Sequence, residues 1–155
     1  MPSSDSIQRV LVATDGSARA TKAVAWAAEL ADRYQAELHL LRVVVPKIGT
    51  APGAAERDQA HRDEVTLRQE AEALVGDRGR GHVAIHEKPA HAICQTAFDN
   101  QIDAIVMGNA GMSGRKEFLL GNVPNWVSHN APCTVIIVNT ETEEPAGWRK
   151  LLKRG

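Results

Sequence analysis

Five short apolar runs, set apart by segments of helical periodicity, constrain this chain more than any other feature of its sequence. They are Val10–Ala13, Leu38–Val45, Val83–Ile85, Ala104–Met107 and Thr134–Val138. The run from Leu38 is almost continuous in branched residues, as a strand buried on both faces requires. Such strands belong to parallel sheets covered by helices. The order reads β-α-β-(loop)-α-β-α-β-α-β, and right-handed crossovers make that an open, doubly wound parallel sheet. The 155 residues suit one domain. Residues 1–140 carry the pattern, and 141–155 differ in character.

The first helix is capped by Ser17, whose hydroxyl can accept an orphan N–H of the following turn. Ala20, Ala23, Val24, Ala27, Ala28, Ala31 and Tyr34 share its inward face, opposite Arg19, Lys22, Glu29 and Arg33. Trp26 falls near the polar face and is read as surface. Pro46–Glu56, rich in proline, glycine and alanine, reads as a mobile loop. A charged helix follows over about Asp58–Val75, closed by a Gly76–Gly81 turn region. Pro89 opens a helix through Ile93, Ala97 and Phe98, and a short helix covers about Val123–Asn130. Beyond Thr140 the composition fits a disordered tail. The alternative is a docking amphipathic segment through Trp148, Leu151 and Leu152.

Composition narrows the function classes. Lys+Arg 18 against Asp+Glu 19 gives a net charge of -1, with no concentrated basic face for nucleic acid or a membrane surface. Met1–Val10 lacks a signal-peptide pattern, and no apolar run approaches the roughly 18 residues that span a bilayer. A cytoplasmic location is expected. Cys94 and Cys133 lack zinc-site or disulfide-scaffold spacing. His86 and His91 lie five apart, off a shared helical face, and read as solvated. Glu141, Glu143 and Glu144 read as a solvated run. No Ser/His/Asp set and no H-E-x-x-H are present.

Two segments should converge beyond the carboxyl ends of the strands, where doubly wound sheets bind ligands. One is Thr14-Asp15-Gly16-Ser17. The other runs from Met107 and Gly108 through Gly111, Ser113, Arg115 and Lys116 to Gly121, Asn122 and Val123. This is a strand end, a glycine-rich loop and a helix start. Glycine lets backbone approach an anion closely, and the unpaired N–H groups of a helix start bind phosphate. Arg115 and Lys116 add positive charge and Ser113 a hydroxyl. Pro124 fits a first helical turn, where its missing N–H costs little.

The spacing Gly108-x2-Gly111-x9-Gly121 resembles the nucleotide-binding motif of the universal stress protein family. The similarity extends to Val10–Ser17, Leu40–Val45, Ile105–Gly108 and Ala131–Val138. The resemblance implies a five-stranded sheet in the order 3-2-1-4-5, adenine nucleotide alpha hydrolase-like, and a homodimer through Thr134–Asn139. It also implies ATP or AMP as ligand. Asp15 would meet the adenosine, Val43 would line the adenine slot, and Gly108 and Gly111 would shape the loop. Gly121, Asn122 and Val123 would hold the phosphates. With Thr14, Met107, Ser113, Arg115 and Lys116 these form the candidate nucleotide-binding set, without a catalytic or metal-ligating residue. The family motif prefers Ser or Thr where this chain has Asn122, whose amide can cap a helix and donate to phosphate. It lacks the hydroxyl that would serve a magnesium ion there. The implied function is a nucleotide-binding regulatory protein of the stress-response type, not an enzyme. The alternative is a phosphotransferase or ATPase on the same scaffold.

Overall fold

Strand β1 (Arg9–Ala13) lies at the centre of a five-stranded sheet, where its Val10-Leu11-Val12 run is wholly buried. The computed structural model describes residues 6–46, 51–109 and 122–140. After β1 come α1 (Ala18–Tyr34), β2 (Glu37–Val44), α2 (Ala54–Val75) and a 3-10 turn at Gly76–Arg78. They are followed by β3 (Gly79–Ile85), α3 (Pro89–Asp99), β4 (Ala104–Gly108), α4 (Asn122–Asn130) and β5 (Thr134–Val138). All pairings are parallel, as the alternation of strands and helices predicts, and the order is β3-β2-β1-β4-β5, as the resemblance implies.

Alternation along the strands sorts the core into two layers. Val10, Val12, Leu38, Leu40 and Val106 pack beneath α1 and α2. Leu11, Leu41, Ile105 and Met107 pack with Ile93 and Ala97 of α3 and Val127 of α4 on the opposite face. Strands buried by both layers can have no polar side, which is why the apolar runs are so nearly continuous.

Helix α1 starts as expected: Ser17 Oγ accepts the Ala20 N–H at 3.1 Å. Ala23, Ala27 and Ala31 are buried, and their small size lets the helix settle close to the sheet. Tyr34 departs from the expected inward stripe and is 52% exposed. The helix ends there in a left-handed Gln35 (φ 54), and buried Ala36 continues the apolar contact in its place. Trp26 is exposed, as its position near the polar face implies.

Two boundaries differ from the sequence reading. Helix α2 begins at Ala54, inside the segment read as loop, and buries only Leu67, Ala71 and Val75. Gly79 and Gly81 belong to β3 and not to a turn. A Cβ on Gly79 would lie 2.5 Å from the Ala71 carbonyl carbon, and one on Gly81 2.5 Å from the Arg68 backbone nitrogen. These glycines are there because α2 lies directly against the edge strand. Among the described residues no helix is long and apolar enough to cross a membrane.

Candidate functional site

The sheet divides at its centre. From β1 the chain turns to α1 on one face, and from β4 it leads to α4 on the other. The pairs Val10↔Ala104, Leu11↔Ile105 and Val12↔Val106 hold β1 and β4 in step, so their carboxyl ends emerge side by side. This is the switch point, the place in such sheets where a crevice opens.

Thr14 leaves β1 at this point and is 7% exposed. Its N–H donates to Leu41 O at 2.8 Å, and its Oγ1 accepts the Gly16 N–H at 3.2 Å. The exposed Asp15 accepts the Ser17 N–H on Oδ1 at 2.9 Å. Gly16 takes φ 80, where a side chain would be strained. The turn is thus self-bonded and holds the Asp15 carboxylate against the mouth of α1. Arg42 braces it from behind, with its guanidinium 3.4 Å from Asp15 O and 3.6 Å from the Asp63 carboxylate of α2.

Val43 is half-buried on β2, on the α3/α4 side, the same side as Ala13, buried Met107 and half-buried Val123. Gly108 ends β4. Its φ is not positive, and what it avoids is a collision: an added Cβ would lie 2.8 Å from Thr140 Cγ2. Asn122 is exposed at the start of α4, and Pro124 is buried in the first turn. Gly111, Ser113, Arg115, Lys116 and Gly121 lie outside the described residues. So does the tail with Trp148, Leu151 and Leu152. The structure therefore gathers Thr14, Asp15, Met107, Gly108 and Val43 at the strand ends, and the loop glycines and cations are not placed.

Sequence reasoning missed Asn109 and Thr140. Asn109 N–H donates to Val138 O at 2.9 Å, while its Oδ1 accepts the Thr140 N–H at 3.1 Å and the Thr140 hydroxyl at 3.0 Å. This ties the ends of β4 and β5 together. A polar residue directly after a strand-ending glycine was the one available signal.

Nucleophilic chemistry finds little support among the cysteines. Burial, with Cys94 and Asp103 nearby, pushes the Cys133 thiol up to about 11, and burial raises that of Cys94. Both are poor thiolates at neutral pH. Among the described residues no three His, Cys, Asp or Glu side chains are placed to hold a metal ion. His86 and His91 are exposed, as expected, and stack on one another with His91 also on Trp126.

Residues 6–139 match the Universal stress protein family. The chain is 31% identical over 144 residues to universal stress protein YxiE of Bacillus subtilis, covering 84% of this chain and 97% of that one. It is 32% identical over 141 residues to universal stress protein Rv1636 of Mycobacterium tuberculosis, covering 84% and 95%. Among solved structures it resembles universal stress protein UspA from Lactobacillus plantarum, with a TM-score of 0.70, 26% identity, and 86% and 98% coverage. It also resembles a universal stress protein in complex with cAMP, with a TM-score of 0.69, 27% identity, and 88% and 99% coverage.

Proposed function

We propose, from the premise that this chain belongs to the universal stress protein family, that it is a regulatory protein that binds an adenine nucleotide at the β1–β4 switch point. The observation that carries the proposal is the likeness, at 27% identity over 88% of the chain, to a family member solved with cAMP. The strand ends support it chemically. Val43 and Ala13 offer apolar surface on the α3/α4 side for a flat base, and Asp15 offers a carboxylate that can accept from ribose hydroxyls. The helix that starts at Asn122 offers its dipole and orphan N–H groups to phosphate. In this reading the Gly111–Gly121 loop, with Ser113, Arg115 and Lys116, completes the phosphate side.

The ligand in this proposal is a mononucleotide or ATP. With ATP a magnesium ion would need oxygen ligands, and Asn122 offers an amide in place of the hydroxyl of the usual motif. An ATP-using enzyme on the same scaffold has less to stand on. Phosphoryl transfer needs a group that orients the nucleophile at the terminal phosphate. The one carboxylate proposed for the site, Asp15, lies at the mouth of α1 with an oxygen on Ser17 N–H.

The reading is tested by thermal unfolding with cAMP, AMP, ATP and GTP, and by mass analysis of nucleotide released from natively purified protein. Ligand at 100 times its Kd stabilises by about 2.7 kcal/mol, several degrees in Tm for a chain of this size. The adenine nucleotides should raise Tm and GTP should do so less. Equal or absent shifts at millimolar concentration would defeat the proposal.

A further inference from the structure

Away from the crevice, the face of β2 and β3 holds a cluster for which the nucleotide reading has no use. His39 is 4% exposed. Its Nδ1 lies 2.7 Å from Nε2 of half-buried His82, and its Nε2 lies 2.9 Å from Glu37 Oε2. The two imidazoles lie edge to edge and nearly coplanar, with 5.0 Å between centroids and 3° between planes, the arrangement that an N–H···N bond in the ring plane requires. We propose that Glu37, His39 and His82 form an acid-released clasp between β2 and the edge strand β3, which takes up one proton without losing a hydrogen bond and parts on the second.

Proton counting fixes the arrangement. A carboxylate only accepts, so His39 Nε2 carries a hydrogen and donates to Glu37. In the neutral ring His39 Nδ1 is then an acceptor, and His82 Nε2 must donate to it. One added proton fits this chain in two ways. It can sit on His82 Nδ1, or it can lie between the rings while the hydrogen of His82 moves to its Nδ1. Either way both hydrogen bonds survive, and the pair carries one positive charge in a chain of hydrogen bonds that ends on Glu37. A second added proton makes each ring a donor at both nitrogens. Two N–H groups then face each other across 2.7 Å, and the rings must separate.

The neighbours resist protonation more than they help it. Burial lowers the affinity of His39 for a proton, opposed by Glu37 and reinforced by Arg80 of β3 and Arg9 of β1. Burial also lowers that of His82, with His39 and Arg80 adding to the effect and Glu64 of α2 opposing it. Burial alone would raise the Glu37 carboxyl, but His39, Arg80 and Arg9 hold it below the usual range. From the α3 side the covering residues are Ala90, Ile93 and Ala97. Of the titratable groups on α3, His91 is turned to Trp126, Cys94 lines a cavity with it, and Asp99 accepts from Gln95. Because the folded histidines bind protons less well than unfolded ones, their contribution is complete above the ordinary value of 6.5 and is lost as pH falls below it.

The test pairs imidazole nitrogen NMR on the wild-type protein with stability against pH for wild type and His82→Gln. Two coupled steps, both below 6.5, should appear in the spectra and belong to the pair jointly. At high pH both rings should carry their hydrogen on Nε2. The folding constant of the wild type should fall by up to about 100-fold per pH unit where both protons are taken up on unfolding. In His82→Gln the fall drops toward about tenfold. Independent titration of both rings at the ordinary value, or the same acid dependence in His82→Gln as in wild type, would overturn the clasp.

Discussion

At the scale of single residues, Gly108 shows how one amino acid can satisfy two readings. The sequence assigns it to a phosphate loop, by its place in the Gly108-x2-Gly111-x9-Gly121 spacing. The structure supplies a packing reason that no spacing could reveal, because Thr140 is 32 positions away and meets Gly108 only through the β4–β5 pairing. The two can be separated. Gly108→Ala should cost about 1–3 kcal/mol, since its Cβ would press on Thr140 Cγ2 at 2.8 Å. Thr140→Ser removes that methyl and keeps the hydroxyl that donates to Asn109. The double variant should therefore recover most of the loss, as urea unfolding of the four proteins would measure. If stability returns in the double variant while nucleotide affinity stays low, the glycine also serves the ligand directly. If stability does not return, the contact with Thr140 is not the reason for the glycine. The His39–His82 pair was illegible for the same kind of reason. The two rings are 43 positions apart, and only the β2–β3 register, with Leu41 opposite His82, brings them together.

At the scale of elements, what could be read in advance followed from burial. β1 and β4 differ by a residue at one end from the sequence pattern, because a strand covered by both layers has an apolar pattern without ambiguity. β5 lies at Thr134–Val138 as expected because its five residues are all β-branched. β3 was read too short, since its Gly79-Arg80-Gly81 start carries the composition of a turn and owes its glycines to α2. The beginning of α2 was missed because its first three turns bury nothing and so leave no periodic stripe. Nothing in the sequence sets Arg78 apart from the other cations. In the fold it donates to Ala31 O at 3.2 Å and Ala36 O at 2.8 Å, and pairs with Asp32 at 3.1 Å. It thus satisfies carbonyls at the C-terminal end of α1, where positive charge is also favoured by the helix dipole. Arg78→Met keeps much of the stem and removes the donors. It should cost about 1.5–3 kcal/mol, the range for hydrogen bonds to charged groups. Hydrogen exchange should show faster opening of the last turn of α1, with the first turn at Ser17 unaffected. Uniform loosening of the whole helix would mean that Arg78 contributes to the core at large and not to this helix end.

At the scale of the molecule the two edges of the sheet differ. β3 is shielded along α2, and its Arg80 turns its guanidinium to the backbone oxygens of Asp77 and Gly79. β5 has no Lys or Pro, the usual means of blunting an edge, and Ile137 is 37% exposed. A cavity of about 320 Å³ opens between α1 and the sheet, lined by Trp26, Leu30, Val106 and Ile136, with Glu29 and Arg33 at its rim. Among the described residues no strand pairs with the outer edge of β5, and pairing with its own copy about a twofold axis would satisfy the backbone groups there on both chains at once. A five-residue ladder is too small an interface alone, as stable ones bury about 1,200–2,000 Å². The apolar groove adds the area that the ladder lacks. The chain should therefore be a dimer at micromolar concentration by light scattering. Ile137→Lys, placing a charge on the exposed edge strand, should shift it to monomer with its fold intact. Truncation after Thr140 discriminates further, because residues 141–155 are the competing cover for this edge. A dimer that persists on truncation leaves the partner's β5 as the cover. A full-length monomer that associates only once the tail is removed would assign that role to the tail and refute the dimer.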